Sequence, residues 1–219
     1  DLVPHPVSRF VSHHGLYFWQ EELAGIEPAL WEELRGIERQ LWTLLSSKRL
    51  LHSLNVLRYS LHLAIRHGVN LSQAARASIL HDCAKCLPES EQVALALQGR
   101  DTSLLTPPLA HGPAGAVLAR QRFGIEDEAV LKAIRYHTTG CARMTRLDQI
   151  VFIADKVEPA RTYDRLDKIR RLAETNLDEA TLVCLDEIGL YLERESLTDH
   201  PYGLAARADM LMRLGKNLD

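Results

Sequence analysis

The chain has 219 residues, 46% of them hydrophobic and 25% charged, which suits one large globular domain, or one domain with a small appendage, able to bury its own core. A net charge of −3 and an aromatic content of 6% argue against a DNA- or RNA-binding surface, which would be basic and carry stacking rings. No uninterrupted apolar stretch is long enough to span a membrane, so a cytoplasmic protein is the expectation.

Taken in order, residues 1–20 form a sparsely charged tail without a capped start, 21–47 a leading helix, and 48–219 the main domain. Pro28 suits a first helical turn, and Leu30, Leu34, Ile37, Leu41 and Leu44 follow at helical spacing, predicting a helix over 28–46. Leu50, Leu54, Leu57, Leu61 and Ile65 repeat that pattern over 49–67, with Gly68 as its stop. Ser72 can cap a third helix reaching about Ala84, and Pro88 opens a fourth that Gly99 ends. Thr106-Pro107-Pro108 marks a loop over 100–108. Helices are then predicted at about 112–123, 126–137, 145–157, 164–175, 178–195 and 203–215, the third of these starting on a capping box, Thr145 to Asp148. Alternating β-branched runs are absent, so the expected fold is an all-α bundle of about eight to ten helices.

Cys83, Cys86, Cys141 and Cys184 are expected to be reduced, buried or partly buried thiols. Cys83 and Cys86 form C-x-x-C, but the βαβ context of a redox site is missing, and Cys141 and Cys184 make no second pair for zinc.

Six residues carry the chemistry: His52, His81, Asp82, His111, His137 and Asp155. Asp155 follows Val151-Phe152-Ile153-Ala154, and a carboxylate in such company needs a cation, from a metal or from Arg or Lys. His13, His14, His62 and His67 read as ordinary hydrogen-bonded histidines. Four imidazoles and two carboxylates suit borderline transition metals better than magnesium, without separating iron from manganese or cobalt.

The order H…HD…H…H…D resembles the HD-domain superfamily of metal-dependent phosphohydrolases. R-x-x-H-S-L-x-V at 49–56, L-H-D-C-A-K at 80–85, H-G-P-A-G-A at 111–116, A-I-R-Y-H-T-T-G at 133–140 and I-A-D-K-V-E-P-A-R at 153–161 resemble, more narrowly, the bacterial symmetrical bis(5′-nucleosyl)-tetraphosphatases. That resemblance implies an HD-domain helical bundle and an enzyme that cuts diadenosine tetraphosphate to two ADP by attack of a metal-bridging water. It implies two divalent metal ions, iron first, with manganese or cobalt as alternatives. One metal would be held by His52, His81, Asp82 and Asp155, the other by His111 and His137, with Asp82 bridging. Asp82 and Lys85 would be the catalytic pair, Lys85 reaching the phosphates as a point charge. Substrate contacts would come from Lys85, Thr138 and Arg161, from the ligands His52, His111, His137 and Asp155, and from Thr198, His200, Pro201 and Tyr202 in the segment 198–203. There the chain departs from the family, with Tyr202-Gly203 in place of an acidic residue and Thr.

The implied partners are a dinucleoside polyphosphate substrate and ADP as product, with homodimer assembly a further expectation. Residues 2–17, LVPHPVSRFVSHHGLY, resemble the C-terminal tail of bacterial nicotinate-nucleotide adenylyltransferases, which implies fusion to a preceding adenylyltransferase domain. Two rival readings remain: an HD phosphohydrolase for dNTPs, guanosine tetraphosphate, cyclic dinucleotides or nucleoside monophosphates, and a non-catalytic helical interaction module.

Overall fold

A computed structural model of the chain describes residues 26–99, 102–158, 160–161 and 165–217. The tail, including the 2–17 motif with His13 and His14, lies outside the described residues. Among those residues there are ten helices and no strand. They are α1 (Pro28–Leu41), α2 (Ser47–His67), α3 (Leu71–Leu80), α4 (Glu89–Gln98), α5 (His111–Phe123), α6 (Glu128–Tyr136), α7 (Arg146–Val157), α8 (Leu166–Ala173), α9 (Leu177–Arg194) and α10 (Pro201–Arg213). The fold is all-α, and no helix among the described residues is long and apolar enough to cross a membrane.

The bundle is built around α7, which packs against α2, α3, α6, α8 and α9. Every residue from Leu147 to Ala154 is buried, the polar Asp148 and Gln149 included. Its start is fixed by the expected capping box: the Thr145 hydroxyl accepts from the Asp148 amide while the Asp148 carboxylate accepts from the Thr145 amide. Its end is held by Arg170 of α8, whose guanidinium donates to the carbonyls of Val157 and Glu158, both at 3.0 Å.

Several boundaries differ from the pattern-based ones. Helix α1 stops at Leu41, although Leu44 still packs on the core. On α2 the buried stripe runs through Leu50, Leu57 and Leu61 to Leu63 and Ala64, leaving Ile65 46% exposed. Asn70, not Ser72, caps α3, its side chain accepting from the Gln73 amide at 3.0 Å. That helix also ends earlier, at Leu80 rather than near Ala84. The cause is local: His81 Nδ1 takes up the Ser78 carbonyl at 2.7 Å, and the chain tightens into three-residue turns, Cys83 N–H to Leu80 O and Lys85 N–H to Asp82 O.

Helix α5 opens on a run in which His111, Gly112, Pro113, Ala114, Gly115 and Ala116 are all buried. The small side chains allow close approach. A Cβ on Gly112 would lie 2.5 Å from the Arg135 carbonyl oxygen of α6. One on Gly115 would meet Ile134 Cγ2 at 3.3 Å and the His81 carbonyl oxygen at 3.5 Å. Glycine therefore sets how closely α5 approaches both α6 and the turn after α3.

All four cysteines are free, and Cys86 is exposed, contrary to the buried or partly buried expectation. It sits past the end of α3, where the tight turn carries it outwards. Burial pushes the Cys83 thiol well up, Cys141 up to about 11 and Cys184 up to about 12. A thiol-disulfide reagent should thus modify Cys86 alone in the native protein, the other three reacting only after denaturation. Rapid native modification of a second cysteine would contradict the packing.

Candidate metal centre

The six ligand candidates come from five places in the chain: His52 from α2, His81 and Asp82 from the turn after α3, His111 from the first residue of α5, His137 from the residue after α6, and Asp155 from the last turn of α7. The fold brings them together. His52, His81 and Asp82 form one set of ligand atoms lying within 4.8 Å of one another, and Asp82, His111 and His137 a second. Asp82 belongs to both: its Oδ1 is 3.3 Å from His111 Nε2 and 3.6 Å from His137 Nε2, while Oδ2 is 3.5 Å from His81 Nε2 and 3.8 Å from His52 Nε2. Asp155 adjoins the first set, its Oδ1 3.0 Å from His52 Nε2 and 3.8 Å from His81 Nε2.

The ring orientations follow from hydrogen bonds on the other nitrogen. His81 Nδ1 donates to the Ser78 carbonyl and His137 Nδ1 to the Ile134 carbonyl, each at 2.7 Å and three residues back. His52 Nδ1 faces the Glu158 carboxylate at 3.3 Å. In His81 and His137 the Nε2 lone pair is thereby left for the centre, as a ligating imidazole requires. The inward nitrogens crowd each other, 3.3 Å between His52 and His81 and 3.2 Å between His111 and His137. Close-set ring nitrogens of this kind, buried with two carboxylates, fit a cation.

The electrostatics agree. Burial alone would push Asp82 up, but the imidazoles of His81 and His137 hold its carboxyl well below the usual range. Asp155 is likewise held low against its burial, chiefly by Lys156 and His52. Burial drives the pKa of His111 well down, and that of His137 down, which favours the neutral, ligating form. His52 differs: burial opposes its charge, but the carboxylates of Asp155 and Glu158 lift its pKa to about 9. A metal at Nε2 would have to displace that proton.

An HD-domain family model matches residues 49–160, the stretch that carries all six residues. The chain belongs to the HD-domain family. It is 36% identical over 155 residues to the symmetrical bis(5′-nucleosyl)-tetraphosphatase of Bacillus subtilis, a match spanning 69% of this chain and 83% of that protein. It is 32% identical over 149 residues to a probable nicotinate-nucleotide adenylyltransferase/Ap4A hydrolase of Mycoplasma genitalium, covering 65% of this chain and 43% of that longer protein. A crystal structure from Clostridium acetobutylicum, described as a predicted HD superfamily hydrolase involved in NAD metabolism, superposes with a TM-score of 0.78 at 32% identity, over 82% of this chain and 97% of that one.

Around the HD-domain centre the other expected residues fall into two groups. Lys85 Nζ lies 3.1 Å from His111 Nδ1, and Thr138 Oγ1 is 3.2 Å from Nε2 of both His111 and His137. Arg161 Nη2 reaches Asp155 Oδ1 at 3.5 Å. The second group is the 198–203 segment, where Thr198 and Pro201 are exposed. His200 Nε2 donates to the Ser103 carbonyl at 3.0 Å, and the Tyr202 hydroxyl accepts from Ser103 at 3.0 Å. The Tyr202 ring meets Tyr136, the residue before His137, edge-on at 5.2 Å. Asp199 explains Gly203, since a Cβ there would lie 2.6 Å from the Asp199 Oδ1. His62 and His67 stay outside the centre, paired with Glu174 at 2.8 Å and with the Ala173 carbonyl at 2.6 Å.

Sequence reasoning passed over three residues at the centre. Arg49 Nη1 is 2.8 Å from Asp82 Oδ2, Lys156 Nζ is 3.1 Å from Asp155 Oδ2 and 2.6 Å from the His137 carbonyl, and Glu158 backs His52. One of them had a readable signal: Arg49 precedes His52 by three residues on α2 and shares a helical face with it.

Proposed function

We propose that the chain is a metal-dependent phosphohydrolase that cuts diadenosine tetraphosphate symmetrically into two ADP, using two divalent cations, iron first and manganese or cobalt as alternatives. One observation carries the reading: two ligand sets share Asp82 inside a ring of cations. Asp82, Asp155 and Glu158 face Arg49, Lys85, Lys156 and Arg161. Two dications added there leave a positive surplus that a polyphosphate would answer.

When bound, the cations supply Lewis acidity, activating the attacking water and neutralising phosphoryl charge. The chain does the rest. His52, His81, Asp82 and Asp155 would hold one cation, and His111, His137 and Asp82 the other. Lys85 and Arg161 would stabilise the charge that gathers on the phosphates as the bond breaks. Thr138, one residue past His137, would orient a phosphoryl oxygen with its hydroxyl. The segment from Thr198 to Tyr202 would close on the nucleotide. The names of the tetraphosphatase relatives support the substrate, and those of the Mycoplasma relatives support a preceding adenylyltransferase domain, which the intact mass of the native gene product would test.

The deciding experiment pairs metal analysis with product analysis. The expected result is two metals per chain and ADP as sole product. ATP plus AMP, or preference for another nucleotide in a substrate panel, would replace the substrate. Two bound metals with no turnover of any nucleotide would favour an interaction module. Lys85→Ala should retain both metals and lose about 100-fold in kcat. Metal loss in that variant would instead make Lys85 part of the ligand scaffold.

A further inference from the structure

Lys156 touches Asp155, beside the first ligand set, and His137, in the second, yet has no step of its own in the proposed mechanism. Its ammonium lies 3.1 Å from Asp155 Oδ2 and donates to the His137 carbonyl at 2.6 Å. Phe152, one helical turn back on α7, sets its ring centroid 4.1 Å from the charge. Lys156 and Asp155 are each 15% exposed, so the contact is shielded from water on most sides. An ammonium engaged in this way is anchored in place rather than free to follow a substrate.

The two oxygens of Asp155 thereby differ. Oδ1 faces the centre, 3.0 Å from His52 Nε2 and 3.8 Å from His81 Nε2, while Oδ2 is turned to Lys156. Arg161 also approaches this carboxylate, but on Oδ1, at 3.5 Å and from a side chain 44% exposed. A long, exposed pair of that kind holds little, so the shielded contact to Lys156 decides the orientation. The second contact meets a carbonyl at the end of α6, where helical carbonyls lack intrahelical partners. His137 has its ring fixed as well, through Nδ1 to Ile134. One ammonium thus ties the last turn of α7 to the end of α6.

We propose that Lys156 is a positioning residue of the centre. It reserves Oδ2, leaving Asp155 to ligate through Oδ1 alone, and through the His137 carbonyl it fixes the spacing between the two ligand sets. The proposal rests on the phosphohydrolase reading above and deepens it with a residue that acts through the ligands rather than on the substrate. With the ammonium removed, both oxygens of Asp155 are free to turn onto one cation, and the tie between α6 and α7 at the centre is lost.

The test compares two variants in the full chain. Lys156→Met keeps the stem and suits a helix; Lys156→Arg keeps the charge and donors. Thermal melting checks the fold, and elemental analysis counts bound manganese. Electron paramagnetic resonance of the manganese-loaded protein reads the coupling between the two ions, which depends on their separation and ligands. Lys156→Met should keep two manganese ions, change the coupled spectrum and lose about 10- to 100-fold in kcat at an unchanged KM. Lys156→Arg should recover part of that loss, with a spectrum nearer the wild type. A lower melting temperature with spectrum and kcat unchanged would overturn the proposal and make Lys156 a packing residue. Loss of manganese would overturn it too, because a positioning role leaves all six donors in place. A raised KM at full kcat would move Lys156 to substrate binding and equally overturn it. The spectrum is read without substrate. A Lys156-dependent spectrum in a protein that leaves the tetraphosphate intact would therefore sink the substrate reading and support the positioning role.

Discussion

Asp82→Ala should abolish hydrolysis and strip metal from both ligand sets. No other residue of the centre belongs to both sets, with one oxygen turned to His111 and His137 and the other to His52 and His81. Loss of a single-set ligand, such as His111, leaves the opposite set whole. Loss of Asp82 would remove the negative charge that the two sets share, and cations held in both would then repel unscreened. A fall in kcat/KM of at least about 1,000-fold is expected, equivalent to roughly 4 kcal/mol of transition-state stabilisation. Asp82→Asn keeps the shape but not the charge and should fail almost as completely. Elemental analysis alongside steady-state rates checks both variants. A mutant that keeps most of its activity with substoichiometric metal would sink the dinuclear mechanism.

Gly112→Ala should damage the enzyme through a single methyl group. The new Cβ would sit 2.5 Å from the Arg135 backbone oxygen, and no side-chain rotation can relieve a clash between two backbones. Helices α5 and α6 must separate, and with them His111 and His137, whose Nε2 atoms are 3.2 Å apart. Overpacking of this kind costs about 1–3 kcal/mol. Alanine's better helix propensity opposes it by at most about 1 kcal/mol, and less than that in a first turn. The clash wins. The melting temperature should fall by about 2–4 °C for each kcal/mol lost. Activity should fall further, by about 100-fold, because misplacing a reacting geometry by an ångström costs that much. Gly189→Ala is the control: its Cβ meets nothing within 4 Å in the middle of α9, so it should leave stability unchanged or slightly raised. Equal melting temperatures and rates for Gly112→Ala and wild type would show that the helix spacing is not rigid.

The all-α fold was legible because helical periodicity and punctuation agree. Gly68 and Gly124 adopt left-handed φ of 64° and 67° at helix ends, and Thr145 with Asp148 forms its box. The six ligand candidates were legible as a set through residue type and order. What the sequence hid is three-dimensional in origin. His81 and Asp82 read as helical, but a side-chain bond to the Ser78 carbonyl ends α3 before them. Ile65 fits a helical stripe and still faces solvent, because the buried face of α2 passes through Leu61, Leu63 and Ala64 instead. Arg49 was given no role, since its partner Asp82 lies 33 residues away on another element. Cys86 is three residues from a buried cysteine and points the other way.

The small-residue face of α5 has one more consequence. Imidazole and carboxylate donors bind iron, manganese and cobalt alike, so the choice among them does not lie in donor chemistry. Yet His111 and His137 hang from backbones whose gap Gly112 sets, with little rotamer freedom left to buried rings. Discrimination by ionic radius would then reside in the main chain, and a shift in metal preference would come from residues beneath the ligands rather than from the ligands themselves.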